Sequence, residues 1–161
     1  MGPETTFRAA TAGDIPTLAR HRRLMYEDMR ASQAFPCQDR DLNKMEREYE
    51  DYLRHQMPQG SIQVWVAEVE GSIVGSGCVS ILAWPPAPGW PAHAVGLLHS
   101  MYTASEYRKQ GIGRSIIKAL MVTCKAKGCR QLIIGGHGTN AGRHLYEAIG
   151  FRPSENMRLN L

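Results

Sequence analysis

Residues 106–120 constrain the fold of this chain more than any other stretch. The segment "EYRKQGIGRSIIKAL" places Gly111 and Gly113 one residue apart among basic side chains, directly before an apolar repeat of helical period. The apolar positions that share one face of this repeat are Ile112, Ile116, Ile117, Leu120 and Cys124. The pattern predicts a helix over about residues 111–127 that packs with one face on a sheet.

The start of this predicted helix has the properties of an anion-binding site. The first turn of a helix leaves backbone N–H groups without partners and carries the positive end of the helix dipole. Gly111 and Gly113 allow a ligand to approach these amides closely. Arg108, Lys109 and Arg114 add positive charge around them. An ordinary strand-to-helix turn with solvated basic side chains fits the same residues and stays open at this point.

Two common phosphate-binding motifs are excluded at this loop. A P-loop ends in Gly-Lys followed by Ser or Thr, and the segment has no such ending. The dinucleotide-binding fingerprint requires a third glycine where this chain has Ile116. The elements upstream also read as antiparallel hairpins, whereas a dinucleotide fold opens with a βαβ unit.

The first third of the chain predicts a strand followed by two helices. A short strand lies near Phe7 and Arg8, and Thr11 with Asp14 forms a variant of the capping box that precedes a helix. This helix extends to about residue 31. A second, charged helix covers about residues 39–56 and is expected to stop at "MPQG".

The hydrophobic period changes to two after these helices, which predicts strands. "IQVWVAEVEG" and "SIVGSGCVSILAW" form a hairpin joined around "EGS". Residues 84–92 contain four of the nine prolines and predict an irregular loop before a strand at "AVGLLHSMYT". The helix of the opening stretch follows, and then strand "QLIIGG", helix "TNAGRHLYEAIG" and a last strand near "NMRLNL". The order predicts an α+β fold.

Composition limits the organisation and the partners of the protein. A chain of 161 residues with 43% apolar content predicts one domain over residues 1–161. The net charge of +4 comes from scattered charges of both signs, so we expect no nucleic-acid partner. Four cysteines without zinc-ligand spacing predict reduced thiols and no metal. With no signal peptide and no run of about 18 apolar residues, we expect no membrane partner and a cytoplasmic location.

Two motifs resemble those of the GCN5-related N-acetyltransferase (GNAT) superfamily. The loop at residues 108–113, Arg-Lys-Gln-Gly-Ile-Gly, is similar to the family's phosphate loop, [Q/R]-x-x-G-x-[G/A]. "HLYEAIGF" is similar to the family's late helix, in which a tyrosine precedes a Gly-Phe pair. Both motifs lie within about residues 95–151, and the order of elements matches over the whole chain. The resemblance implies a mixed central sheet with antiparallel N-terminal strands and a splayed parallel pair, flanked by about four helices.

The resemblance also implies acetyl-CoA as co-substrate, bound where the two central parallel strands splay apart. The residues implied in its binding are Met101, Tyr102, Thr103, Arg108, Lys109, Gln110, Gly111, Ile112, Gly113, Arg114, Ser115, Thr139 and Asn140. Thr139 departs from the asparagine that the family usually has at this point. The usual amide contact to the pantetheine arm is therefore not expected from Thr139, and the neighbouring Asn140 is a substitute.

The implied chemistry is acyl transfer from a thioester to an amine, which needs a neutral amine and a proton for the departing thiolate. Tyr146 matches the family position that supplies this proton, and a phenol is a neutral donor at pH 7. A simple core position on its helix is the alternative for Tyr146. Candidate bases are His99, at a place that resembles a histidine of the arylalkylamine acetyltransferases, then His137 and Glu68.

The resemblance predicts an N-acetyltransferase that acts on a primary amine of a small molecule, peptide or protein, by direct attack in a ternary complex. A non-catalytic acyl-CoA sensor of the same fold is the alternative. Trp84 and Trp90 are expected near the acceptor side, or else packed with their loop on the first helices. Met25 and Met29 are expected in the core or on the surface of a possible homodimer.

Overall fold

The computed structural model describes residues 4–135, 140–154 and 159–160. Its strands are β1 (Thr5–Ala9), β2 (Ile62–Val69), β3 (Ser72–Trp84), β4 (His93–Thr103) and β5 (Cys129–Ile134). Its α-helices are α1 (Ile15–Ala31), α2 (Asp39–Gln59), α3 (Ile112–Ala126) and α4 (Asn140–Ile149). The last predicted strand, at residues 156–161, lies mostly outside the described residues.

The five strands form one mixed sheet in chain order. β1 to β4 are antiparallel neighbours, and β5 pairs with β4 in parallel. A parallel neighbour requires a crossover connection, which α3 provides. The predicted α+β architecture is confirmed, with antiparallel strands first and a parallel pair after them.

The β2–β3 hairpin forms where the sequence predicts it. Val69 pairs with Ser72, which leaves a loop of Glu70 and Gly71. Both loop residues have positive φ, 49° at Glu70 and 77° at Gly71. Positive φ at both central residues is the geometry of a type I′ turn, whose twist matches that of the flanking strands.

The sheet carries helices on both faces. α3 covers one face, and the predicted apolar stripe is confirmed because all five of its residues are buried. The same core cluster holds Val79 and Leu98 from the central strands. On the other face, Ile15 of α1 and Leu53 of α2 pack on Val66 of β2.

Gly77 of β3 lets α3 approach the sheet closely. A Cβ at this position would lie 2.7 Å from Ile116 Cγ2 and would also overlap the Met101 side chain. Because any larger residue would push these groups away, Gly77 fixes the distance between the start of α3 and β4. This distance defines one wall of the cleft described below.

Two helix ends are set by short local signals. Thr11 and Asp14 form the predicted capping box, with the Thr11 amide 2.7 Å from Asp14 Oδ2. α2 continues past the predicted stop and includes Pro58 in its last turn. Gly60, with a φ of 72°, ends the helix, so the glycine and not the proline is the stop signal.

In the described part of the chain, none of the helices combines the length and apolar character needed to cross a bilayer. Within the same residues, no three His, Cys, Asp or Glu side chains come together as a metal-binding group would require. Cys37, Cys78, Cys124 and Cys129 are free thiols.

Candidate functional site

A cleft of about 780 Å³ opens where β4 loses its parallel neighbour. The pairing of β4 with β5 ends at Leu98 and Ile134, although β4 continues to Thr103. One wall of the cleft comes from residues 97–103, the start of α3 and part of α4, and a second wall comes from α1, which packs against β4. The parallel pair that the family resemblance implies is therefore present, and the cleft lies where its described pairing ends.

A β-bulge shapes the β4 wall of this cleft. Ser76 and Cys78 of β3 pair with Tyr102 and His99, so that one β3 residue faces two residues on β4. Ser100, one of these two, has a φ of 55°. A bulge bends its strand and changes where the side chains point, as is common beside functional sites.

The loop before α3 presents backbone amides to the cleft. Gly111 is the N-cap residue of α3, with a φ of 84°, and its carbonyl accepts the first helical bond, from the Ser115 amide at 3.0 Å. The amides of Ile112, Gly113 and Arg114 precede this bond and have no acceptor within the helix. All three residues line the cleft, so the positive end of the α3 dipole lies at its wall.

Arg108 ties the loop to the two walls of the cleft. Its Nη2 donates to Asp28 Oδ2 of α1 at 2.5 Å, and its Nε donates to the Thr103 carbonyl of β4 at 2.8 Å. The charge of Arg108 is therefore balanced by Asp28. The positive charges left at the start of α3 are those of Lys109 and Arg114, which both line the cleft.

The structure brings most of the sequence-predicted binding residues together. Those that line the cleft are Met101, Tyr102, Thr103, Arg108, Lys109, Gly111, Ile112, Gly113 and Arg114. Gln110 and Ser115 lie beside it, and Gln110 Nε2 donates to the Glu106 carbonyl at 3.1 Å. Thr139 lies outside the described residues, and Asn140 begins α4.

Tyr146 lies on the buried face of α4 and lines the cleft. Its ring packs edge-on against Phe151, with the centroids 5.7 Å apart, and belongs to the core cluster under α3. Burial raises the pKa of the Tyr146 phenol to about 12. Tyr146 is thus a core residue that also lines the cleft, and its phenol is protonated at neutral pH.

His99 is held between two serine hydroxyls. Its Nε2 lies 2.9 Å from Ser80 Oγ, and its Nδ1 lies 3.0 Å from Ser100 Oγ. Ser100 Oγ also accepts from Arg22 Nη1 at 2.5 Å and from the Tyr49 hydroxyl at 3.0 Å. These two donors occupy the lone pairs of Ser100 Oγ, so the Ser100 hydroxyl donates its own proton to His99 Nδ1. The imidazole proton of His99 is therefore on Nε2. Neither nitrogen then presents a lone pair to the cleft.

Two histidines are kept neutral by their surroundings. Burial, with a smaller contribution from the Arg22 charge, lowers the pKa of His99 to about 4. Burial also lowers the pKa of His21 to about 4, and His21 Nδ1 lies 2.8 Å from Ser76 Oγ. His21 lies against the Tyr102 ring, with a centroid distance of 4.7 Å, so both histidines support the β4 wall.

These depressed pKa values predict an acid-sensitive fold. The unfolded chain binds a proton near pH 6.5 and the folded histidines near pH 4, so stability falls as the pH drops through this window and is constant below it. At ~1.36 kcal/mol for each pKa unit, the full loss is at most about 3.4 kcal/mol for each histidine, of which about 2 kcal/mol is reached by pH 5. Urea unfolding at pH 7.5 and about pH 5 measures this part. A His21→Gln variant should show a smaller loss than an exposed control, His55→Gln; equal losses would contradict the assignment.

The remaining base candidates lie elsewhere. Glu68 was the third candidate, but its carboxylate accepts from Arg8 Nε at 2.5 Å on the β1–β2 ladder and does not line the cleft. The contact between Arg8 and Glu68 is a structural ion pair. His137 lies outside the described residues.

The expectation for the tryptophans is wrong, and the methionines lie outside the two core clusters. Trp84 and Trp90 lie at the far end of the β3–β4 ladder and are 50% and 42% exposed. Trp90 packs beside His93 and Arg130, so the proline loop belongs neither to the cleft nor to the first helices. Met25 and Met29 are half-buried and line the cleft, where they form part of the α1 wall.

The sequence reasoning missed the polar residues of the α1 wall, above all Arg22. Arg22, Met25, Tyr26 and Met29 recur at spacings of three and four, which places them on one face of α1. This spacing is the signal from which the cleft-lining face of α1 could have been predicted. The partner of Arg22, Ser100, is 78 residues away in sequence, and no local pattern links the two.

The comparisons with known proteins agree with this architecture. The chain is 22% identical to a predicted acetyltransferase from Clostridium acetobutylicum solved with acetyl-CoA, with a TM-score of 0.83 over 98% of this chain and 96% of that one. It is 22% identical to a GCN5-related N-acetyltransferase from Ralstonia eutropha, with a TM-score of 0.84 over 98% and 99%. These likenesses establish the fold.

Sequence relatives cover a smaller part of the chain. A probable N-acetyltransferase 14 from Danio rerio is 30% identical over 91 residues, which are 56% of this chain and 30% of that protein. The chain therefore matches less than a third of the length of this curated relative. The family model described as an acetyltransferase (GNAT) domain matches residues 60–153. This match contains the parallel strands β4 and β5 and the glycine loop and covers more than half of the sequence, so the chain belongs to the GNAT acetyltransferase family.

Proposed function

We propose that the protein transfers an acetyl group from acetyl-CoA to a primary amine, by direct attack of the amine in a ternary complex. The observation that carries this proposal is one cleft that joins an unpaired strand edge, an amide-lined helix start and a buried tyrosine. Its volume of about 780 Å³ lies within the range of small-molecule sites.

The start of α3 is the proposed pyrophosphate site. The free amides of Ile112, Gly113 and Arg114 point along the helix dipole, and Lys109 and Arg114 add two formal positive charges. Gly113 leaves space beside these amides, because a Cβ at this position would already lie 3.1 Å from Leu145 Cδ2. A diphosphate fits this donor set.

The free edge of β4 is the proposed site for the pantetheine arm. Residues beyond Leu98 have no β5 partner in the described part of the chain, so backbone groups along residues 99–103 are available. The arm carries amide groups of its own and can pair with them as an added strand would. Met101 and Tyr102 line this part of the cleft.

Tyr146 is the proposed general acid. With a pKa of about 12, its phenol stays protonated at neutral pH and can donate to the departing thiolate. His99 is proposed to position the bulge rather than to accept the amine proton, because both of its nitrogens are engaged by serines. The amine proton then leaves through water in the cleft, and His137 stays a candidate base.

The proposal is tested by two measurements on the same purified protein. Calorimetry with CoA should show binding, and acetyl-CoA with a panel of primary amines should release free thiol only when an acceptor is present. Binding without any thiol release would identify the alternative, a non-catalytic acyl-CoA sensor. Absence of CoA binding would contradict both.

A further inference from the structure

We propose that Arg22 binds a carboxylate of the acceptor, so that the acceptor is an amino carboxylate with an apolar body. This inference rests on the proposed function, because it assigns the α1 wall to the acceptor. The β4, α3 and α4 wall holds the features that suit acetyl-CoA, which leaves the α1 wall for the second substrate.

Arg22 is held in a fixed position beside the strand. Its Nη1 donates to Ser100 Oγ at 2.5 Å, and its guanidinium lies 4.6 Å from the Tyr49 ring centroid and 5.3 Å from that of Tyr26. Two aromatic rings and one hydroxyl thus orient the planar guanidinium. Arg22 lines the cleft while half-buried.

The charge of Arg22 has no acidic partner among residues 4–135 and 140–154. Its neighbours on α1 differ in this respect, because Arg23 pairs with Glu27 and Glu46, and Arg30 pairs with Asp39. Asp28, an acidic residue that also lines the cleft, forms an ion pair with Arg108. A half-buried charge without a counter-ion costs free energy, which an anionic ligand would offset.

A carboxylate is the anion that this arrangement favours. A guanidinium offers five N–H donors in a planar fork that matches the two carboxylate oxygens. Nη1 is engaged by Ser100, and the contact of Nη2 with the Tyr26 hydroxyl is long, at 3.5 Å. Donors therefore remain for a ligand in the cleft.

Apart from Asp28, which pairs with Arg108, the lining contributed by α1 and by Phe35 after it is mostly apolar. Met25, Met29, Tyr26 and Phe35 line the cleft beside Arg22, and the Tyr26 and Phe35 rings pack with their centroids 5.2 Å apart. Methionine and aromatic side chains adapt to apolar groups of different shape. The acceptor body that fits this wall is a hydrocarbon or aromatic side chain.

The position of Arg22 also limits the spacing within the acceptor. Its partner Ser100 directly precedes Met101, on the strand edge proposed for the pantetheine arm. With the thioester placed at the bulge of β4, a carboxylate at Arg22 is close to it, and the amine and carboxylate of the acceptor are only a few atoms apart. An apolar α-amino acid meets all three conditions.

The kinetic test compares acceptors that share the phenyl side chain and the amine but differ in the carboxylate. With acetyl-CoA, L-phenylalanine should be acetylated with a kcat/KM, referred to the concentration of neutral amine, at least about 10-fold above that of L-phenylalaninamide or phenethylamine, the range of one charge-assisted contact. Arg22→Met should remove this preference, and Arg22→Lys should reduce it. Arg20→Met, the same change at an exposed α1 position outside the cleft, should retain it. Equal use of the three acceptors by the unaltered protein would overturn the proposal.

A binding test does not depend on turnover or on the folding of a variant. N-acetyl-L-phenylalanine, which is an anion, should bind the CoA-saturated protein at least about 10-fold more tightly than neutral N-acetyl-L-phenylalaninamide. Tighter anion binding without acetyl transfer to any amine would refute the proposed function and retain the Arg22 site. Acetyl transfer with equal binding of the two ligands would refute the Arg22 site alone.

Discussion

Replacing Gly111 with valine should reduce CoA affinity by at least about 100-fold, which corresponds to ~2.7 kcal/mol. Gly111 has a φ of 84° at the N-cap of α3, a conformation that a β-branched residue adopts only under strain. Valine would either change the direction of the loop or place its methyl groups on the cleft wall, beside the amides proposed for the pyrophosphate. Calorimetric titration with CoA measures the effect.

Gly128 provides a matched control at the other end of the same helix. Its φ is 80°, and, as at Gly111, a Cβ would meet nothing within 4 Å. Gly128→Val should therefore carry a similar strain, about 1–3 kcal/mol, without touching the cleft. Equal CoA affinity of the two variants would show that the loop at Gly111 is not the phosphate site.

Tyr146→Phe should lower kcat by about 100-fold or more and leave CoA affinity within about two-fold, because a general acid contributes 10²–10⁴ in rate. The substitution removes only the hydroxyl and keeps the ring that packs against Phe151. Stopped assays of thiol release, together with CoA titration, separate the two parameters. A variant with unchanged kcat would assign Tyr146 to the core alone.

The pH profile gives a second check on Tyr146. With its pKa raised to about 12, the phenol stays protonated from neutral to alkaline pH. The rate should therefore rise with pH as the acceptor amine loses its proton, without a fall near pH 10, where an exposed tyrosine ionises. Tyr52→Phe, which removes a hydroxyl from exposed α2, is the control for both measurements.

The order of elements was predictable because short-range signals dominate it. The capping box at Thr11, the two-residue loop at Glu70 and the apolar stripe of α3 each act within a few residues, and each forms as predicted. The end of α2 was misplaced because Pro58 fits in the last turn of a helix that Gly60 then ends. Short-range signals therefore determine which elements form and in what order, but they do not determine the exact residue at which each element ends.

The parts of the site that could be predicted are those formed by contiguous sequence motifs. The glycine loop and Tyr146 belong to contiguous motifs, so their positions could be read from the sequence. The contacts of His99 and Arg22 with Ser100 depend on a β-bulge and on helix packing across 78 residues, which no local pattern encodes. The positions of Trp84 and Trp90 were predicted wrongly for the same reason. Their burial depends on where their loop lies in the tertiary structure.

In the described part of the chain, the parallel pair ends at Leu98 and Ile134, and residues 99–103 have no β5 partner. Backbone amides without a strand partner exchange their hydrogens with solvent quickly, and those covered by a paired ligand do so slowly. Hydrogen–deuterium exchange along this segment would therefore report the occupancy of the cleft without any label. Under the proposed function, bound acetyl-CoA would take the place of a strand beside residues 99–103, and its release would leave this edge of the sheet open again.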